Sequence, residues 1–277
     1  MGSTTRIDWA DATWNPVTGC LHGCKYCYAR GIANRFGLPY APELGEPGME
    51  GAKKYDSPEG IDTMLELIKP YKKNGRVQPY PMCFLPTFHR YALDRPRRIK
   101  NPKNIFVCSM ADLFGEWVPN EWIRAVFNAC SAAPQHRYLF LTKNPKRYMN
   151  TYPMYLSCIQ RPSKAFEAWF GYTYDGTSNQ EIRKSLRRQY SRHQFISIEP
   201  LLHPIWEDEI NMIRSTCDWV IIGAETGNRK GKVKPDKRWI MKIADMCGLS
   251  SVPVFMKDSL REIVGSDFRQ EFPWEMP

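Results

Sequence analysis

The sequence predicts an α/β fold, most simply a (β/α) barrel of the TIM type, complete or partly open, and three observations carry that expectation. Short apolar segments recur along the chain, and most are separated by helix-like stretches, so strand and helix alternate. The apolar segments lack strict polar alternation, which suits strands covered on both faces, as in a parallel sheet walled by helices. With 277 residues and 43% apolar content the chain can bury one large core, and such barrels reach this size as one domain. We therefore expect a single domain over residues 1–277, with an irregular insertion at about 37–60 and a C-terminal tail at about 265–277. A doubly wound open sheet is the alternative, and it would place ligands along the same strand ends.

Taken in order, residues 9–16 (WADATWNP) are aromatic and tolerant of extended backbone, and Pro16 ends the run, which puts the first strand near 11–15. Residues 28–36 have helical spacing, so the stretch 19–27 joins the first strand to the first helix. Residues 37–60, rich in Gly, Pro and Glu, predict no regular structure. A stripe of Ile61, Met64, Leu65 and Ile68 predicts a helix at about 60–69, stopped by Pro70. Further strand segments follow at 82–85, 104–109, 138–142, 169–173, 195–199, 219–223 and 252–257. Helices are expected near 119–132, 145–157, 178–192, 205–215, 235–247 and 258–264.

Composition narrows the class. No apolar run approaches the roughly 20 residues of a membrane helix, and the first residues lack the apolar core of a signal peptide, so a soluble cytoplasmic protein is expected. Nine cysteines are present, and six of them (83, 108, 130, 158, 217 and 247) stand singly, unlike a secreted disulfide framework; a reducing compartment fits. The balance of 39 Lys+Arg against 29 Asp+Glu gives a formal charge of +10, which favours polyanionic partners as readily as it favours solubility.

The remaining cysteines lie together in the stretch 19–27, GCLHGCKYC, spaced C-x3-C-x2-C. Gly19, His22 and Gly23 interrupt any strand or helix periodicity there, so this is a loop that presents sulfurs rather than a packed core segment. Zinc is an awkward occupant, because a structural site takes four ligands and His22 sits too close to Cys20 to reach around a tetrahedron. Ferredoxin-type loops supply four cysteines per cluster, and no fourth accompanies these three. A [4Fe-4S] cube held at three corners leaves one iron open to a small molecule, which favours a reactive cluster over an electron carrier.

Nearly every expected strand ends in a polar group: Thr13 and Asn15, His89, Ser109 and Asp112, Thr142 and Lys143, Tyr172 and Tyr174, Ser197 and Glu199, Glu225, Lys257 and Asp258. In a parallel barrel these ends share one rim, where active sites are built, although turns begin there too and are polar for that reason alone. Glu199 and Glu225 each follow an apolar strand and need a partner, which Lys143 or Lys257 could supply as an internal salt bridge in place of a ligand contact. The segment Arg229-Lys230-Gly231-Lys232-Val233-Lys234 holds four cations within six residues and suits phosphate binding. A second basic cluster at 95–100, and a helix bearing Arg183, Lys184, Arg187, Arg188 and Arg192, add to the positive balance. Trp169, Phe170, Tyr172 and Tyr174 gather near one strand end, as a base-stacking platform or as core. Cys108, Cys217 and Tyr172 offer groups for a hydrogen-atom relay, or are simply packed.

The C-x3-C-x2-C loop with Tyr26 before the third cysteine, placed after the first strand of a β/α chain, resembles the radical S-adenosylmethionine (radical SAM) superfamily. Together with WNPVTGC (14–20), SMADLF (109–114), LTKNP (141–145), SIEPLL (197–202) and WVIIGAETG (219–227), it resembles more narrowly an uncharacterised phage-associated radical SAM family, distantly similar to spore photoproduct lyase. The resemblance implies a [4Fe-4S] cluster on Cys20, Cys24 and Cys27 whose open iron binds S-adenosylmethionine. It also implies a 5'-deoxyadenosyl radical that abstracts hydrogen from substrate, and a reductant such as flavodoxin or ferredoxin. Tyr26, Ser109, Asp112, Thr142, Lys143, Ser197, Glu199 and Glu225 are the cofactor-binding positions it implies. Cys108 and Tyr172 become the catalytic candidates, and Arg229, Lys230, Lys232 and Lys234 the substrate-binding ones. Two departures stand out: no Gly-Gly-Glu segment is present, so Ser109 and Asp112 are expected in its role, and the loop after Glu225 is unusually basic.

The leading expectation is a radical SAM enzyme that modifies or repairs a nucleic acid base or nucleotide. The competing ones are a radical SAM enzyme on a peptide or small metabolite, and a non-catalytic nucleic-acid-binding module with a structural Fe-S or zinc site.

Overall fold

The computed structural model describes residues 5, 7–38, 43, 46–56, 63–159, 165–175 and 193–276. Its strands are β1 (Ala12–Trp14), β2 (Val17–Thr18), β3 (Lys53–Asp56), β4 (Thr63–Leu67), β5 (Lys72–Lys73), β6 (Arg76–Val77), β7 (Thr87–His89), β8 (Asn104–Val107), β9 (Arg137–Thr142), β10 (Glu167–Thr173), β11 (Gln194–Ile198), β12 (Trp219–Ile222) and β13 (Val254–Met256). Its helices are α1 (Tyr28–Phe36), α2 (Arg95–Arg98), α3 (Asn120–Ser131), α4 (Lys146–Ile159), α5 (Glu207–Thr216), α6 (Lys237–Gly248) and α7 (Arg261–Val264). Seven strands form one sheet in the order β1-β8-β9-β10-β11-β12-β13, with β1 and β13 at its ends. The pairings β1 with β8 and β10-β11-β12-β13 in succession are parallel. This α/β topology is that of a partial TIM-type barrel. Among the described residues, no helix is long and apolar enough to cross a membrane.

By its internal contacts the chain divides into two compact units, the first comprising Met1–Thr5, Ala10–Tyr138 and Asn150–Glu167, the second Arg6–Trp9, Leu139–Met149 and Ala168–Pro277. In the first, β2, β7, β4 and β3 form a second, mixed sheet, and β5 pairs with β6 in a short hairpin. Helix α3 buries Trp122, Ile123, Val126, Phe127 and Cys130, the one-sided stripe of an amphipathic helix. Trp122 stacks on Phe88 of β7 at 5.1 Å, which ties the helix to the mixed sheet.

In the second unit the strand register sorts side chains between two faces. Opposed residues in neighbouring strands point the same way and successive ones point oppositely. Tyr172, Ile196, Ile198, Val220, Ile222, Val254 and Met256 therefore share one face, and they pack with Ile210 and Ile213 of α5 and Ile240 and Ile243 of α6. Trp169, Gly171, Phe195, Ser197, Trp219, Ile221 and Phe255 lie on the other. At the N-terminal end of that face Trp219 contacts Trp169 (6.3 Å), Phe195 (5.7 Å) and Trp274 (5.2 Å), an aromatic plug that the C-terminal segment completes.

Three sequence expectations are corrected. Residues 63–67 are a strand and not part of a helix: Met64, Leu65, Glu66 and Leu67 are all buried, so the segment is covered on both faces, and it pairs with β3 and β7. The insertion at 37–60 is not wholly irregular, since Lys53–Asp56 form β3. Residues 82–85 are a turn and the strand begins only after Pro86, at Thr87. The expected helix at 178–192, with its five basic residues, lies outside the described residues. The C-terminal tail is an ordered partner of the edge strand: the Met256 amide donates to the Arg269 carbonyl (2.9 Å) and the Glu271 amide to the Val254 carbonyl (3.1 Å).

Candidate functional site

In the first unit the cysteine loop spans from β2 to α1 and is tied at both ends. The Gly19 amide donates to the Met110 carbonyl (2.9 Å) and the Cys20 amide to the Phe84 carbonyl (3.0 Å). Gly19 has φ +87°, and a Cβ there would lie 2.2 Å from the Leu85 carbonyl oxygen, so only glycine fits. Cys27 is the N-cap of α1, its sulfur accepting from the Arg30 amide at 3.4 Å. Arg30 donates to the Cys20 carbonyl (3.3 Å) and lies over the Phe84 ring (4.9 Å), pinning the start of the loop to the helix that follows it.

Cys20, Cys24 and Cys27 are thiols, outside any disulfide among the described residues, and half-buried. Burial, with the charges of Asp112, Cys24 and Cys27 adding, pushes the Cys20 thiol up to about 12. Among the described residues, no three His, Cys, Asp or Glu side chains are gathered closely enough to hold a metal ion, these cysteines included. The donor set nonetheless fits an iron-sulfur cluster chemically. Three thiols share one anchored, half-buried loop, and a cationic thiophilic group is what stabilises thiolates in such a set.

Around the loop the structure brings in residues that spacing alone did not join. His22 Nε2 lies 2.7 Å from Asp112 Oδ2, and its ring meets Trp117 edge-on at 4.9 Å. The other Asp112 oxygen accepts from the Phe114 amide (3.0 Å). Asn15, just past β1, accepts from both the Ser109 hydroxyl (3.2 Å) and the Met110 amide (3.1 Å), and the Tyr28 hydroxyl donates to the Ser109 carbonyl (2.6 Å). The ends of the adjacent strands β1 and β8 thus meet at Ser109 and Met110. Tyr26 is half-buried. Cys108 sits at the end of β8 with φ +61°, and burial pushes its thiol up to about 12. His89 is a core histidine, held by Thr18 (2.9 Å) and Tyr91 (3.1 Å).

In the second unit the register places Ile198, Ile222 and Met256 side by side, so Glu199, Gly223 and Lys257 follow as neighbours at the strand ends. Glu199 and Lys257 form an ion pair across Gly223. A Cβ on Gly223 would meet Lys257 Cδ at 3.0 Å and Glu199 Cγ at 3.2 Å, so the missing side chain opens the path for the pair. On the same face, one step toward the strand starts, the Ser197 hydroxyl is buried with no hydrogen-bond partner among the described residues. An orphaned buried hydroxyl beside a half-buried ion pair fits a polar ligand. Lys143 pairs with Asp175 (3.5 Å), and the Thr142 hydroxyl accepts from the Asn144 amide (2.9 Å).

Glu225 finds neither expected lysine. Arg229 grips it with two bonds of 2.5 and 2.6 Å, and this hydrogen bonding holds the Glu225 carboxyl below its usual range against the opposing effect of burial. Tyr172 lies in the helix-facing core, its hydroxyl 4.0 Å from the Cys217 sulfur, and Trp169, Phe170 and Tyr174 are buried as well, so these four rings form core and not an exposed stacking platform.

A family model described as "Protein of unknown function (DUF5131)" matches residues 4–261. No curated protein matches the sequence. Among solved structures, a mutant of spore photoproduct lyase with dinucleoside spore photoproduct has a TM-score of 0.53 at 9% identity, covering 93% of this chain and 79% of that one. A double mutant with bound AdoMet and dinucleoside spore photoproduct has a TM-score of 0.51 at 9% identity, covering 98% of this chain and 79% of that one. A further single mutant has a TM-score of 0.51 at 10% identity, with coverage of 93% and 79%. At this identity the likeness is one of fold.

Proposed function

The chain belongs to the DUF5131 family of unknown function, and from that premise we propose that it is a radical SAM enzyme whose substrate is a base in a nucleic acid or nucleotide. The observation that supports the reading is the loop that presents Cys20, Cys24 and Cys27 together, anchored through the Gly19 and Cys20 amides. The chemistry supplied by a cluster on those thiolates is one electron for reductive cleavage of S-adenosylmethionine, drawn from a reductant such as flavodoxin or ferredoxin.

The chain's own residues have separable tasks. Gly19 and Arg30 keep the loop folded, and Cys20, Cys24 and Cys27 supply the thiolates. Asn15 fixes the backbone at Ser109 and Met110, and His22 with Asp112 orients the segment that takes the place of the missing Gly-Gly-Glu. Ser197, with the Glu199 and Lys257 pair, offers a hydroxyl, a carboxylate and an ammonium to polar groups of a bound molecule. Glu225 is left out of that set, because its carboxylate is engaged by Arg229. The solved structures of like fold include one with bound AdoMet and dinucleoside spore photoproduct, which supports both the cofactor and the nucleic acid class.

Anaerobic reconstitution tests the reading. About four irons per chain are expected, and a strong reductant with S-adenosylmethionine should release 5'-deoxyadenosine. Zinc in place of iron, or an intact cluster with no cleavage, overturns it.

A further inference from the structure

The basic segment after β12 is built differently from a row of surface cations. Glu225, whose side chain is only 2% exposed, anchors its base: it accepts two bonds from Arg229 and a third, at 3.4 Å, from the Val233 amide. Gly227 (φ +84°) and Gly231 (φ +73°) turn the chain between these grips. The Arg229 guanidinium is therefore engaged inward. Lys230, Lys232 and Lys234 remain exposed; Lys232 rests on the Gly227 carbonyl (3.1 Å), and Lys230 and Lys234 have no partner among the described residues. The segment rises from the strand whose end lies between Glu199 and Lys257.

We propose that Lys230, Lys232 and Lys234 form a clamp for the backbone phosphates of a single-stranded polynucleotide, and that Arg229 is a positioning residue that holds the clamp through Glu225. This rests on the nucleic acid reading above and narrows it: the target is a base within a strand and not a free nucleotide. Lysines are point charges on flexible stems, suited to successive phosphates of a strand and indifferent to base identity. Chemistry on a base also requires it unstacked, which a single strand provides at least cost.

The test is fluorescence anisotropy with labelled ten-nucleotide DNA and RNA strands, and competition by a mononucleotide, across a salt series. The wild type should bind at least one kind of strand far more tightly than the mononucleotide. K230Q/K232Q/K234Q should lower the slope of log affinity against log salt by about 2, at about 0.7 per phosphate contact, and weaken low-salt binding about tenfold or more. Unchanged slope and affinity in that variant, or equal affinity for strand and mononucleotide, overturns the clamp. E225Q should weaken strand binding by loosening the loop. If it instead tightens binding by freeing Arg229, or if R229Q alone lowers the slope by about 0.7, Arg229 is a phosphate contact and the positioning role fails. Because Glu225 is buried, R229Q gives that answer even where E225Q folds poorly. S-Adenosylmethionine cleavage is measured separately, so loss of the cofactor reading and loss of the clamp are distinguishable.

Discussion

Replacing Gly19 by alanine should break the cysteine loop at its root. At φ +87° an L-residue costs about 1–2 kcal/mol in backbone strain. The new methyl would also lie 2.2 Å from the Leu85 carbonyl oxygen, 2.4 Å from its carbon and 2.8 Å from the Phe84 oxygen. Those are backbone atoms and cannot swing aside. The Phe84 carbonyl already accepts from the Cys20 amide, and the Leu85 amide donates to Met82. Overpacking against such a wall adds about 1–3 kcal/mol, for a total of about 2–5 kcal/mol, out of a typical domain stability of about 5–15 kcal/mol. Gly23 is the internal control, because it shares the positive φ (+69°) but a Cβ there meets nothing within 4 Å among the described residues, leaving strain alone. Urea denaturation under reducing conditions, with iron counted after anaerobic reconstitution, should show a larger loss of stability and of iron for Gly19→Ala than for Gly23→Ala. Equal midpoints and equal iron in the two variants would refute the reasoning.

Other expectations concern the frame. Burial lowers the His89 pKa to about 4, so the unfolded chain, titrating near 6.5, binds more protons between those values; stability should fall by about 3 kcal/mol as pH drops from about 6.5 to 4 and be fully present above that window. Urea midpoints at pH 7 and 5 check this, and His89→Gln should flatten the dependence. Ending the chain after Asp267 removes the backbone partners of β13 and the carbonyl that accepts from the Trp219 indole (2.9 Å), so gel filtration should show self-association through the bared edge. In Gly171→Ala the methyl would lie 2.3 Å from the Phe195 ring, a cost of about 1–3 kcal/mol that Phe195→Leu should partly relieve in a double-mutant cycle. Glu66 is 1% exposed, bonded to Arg90 (2.6 Å) and Tyr55 (2.7 Å), which hold its carboxyl down despite opposing burial; Glu66→Gln should cost about 1–3 kcal/mol at neutral pH, and the difference from wild type should vanish as acid protonates the wild-type group.

Legibility of the sequence varied with how local the determining forces are. Helices α3, α5 and α6 lie within two residues of their expected bounds, because a one-sided apolar stripe and its end signals are contained in the segment itself. At 60–69 the same reasoning failed: Met64 and Leu65 mimic a helical stripe, but pairing with β3 and β7, a long-range event, makes the segment a strand buried on both faces. The tail beyond Gly265 carried no strand pattern, and its order comes from the edge of β13 that it covers.

The spacing C-x3-C-x2-C is written in neighbouring residues, so the sequence alone determined that three thiols share one loop and that no fourth cysteine accompanies them in it. The alternation of apolar segments and helical stripes likewise determined an α/β fold, since hydrophobic periodicity is a local property. Partner choice was decided only in three dimensions. Glu199 meets Lys257, 58 residues away, because the parallel register sets their strand ends on either side of a glycine. Tyr172 falls among the helices because its position within β10 is even where that of Gly171 is odd, and Arg229 turns inward because Glu225 is buried beneath it. Register and burial are collective properties of strands far apart in the chain, and no window of sequence contains them.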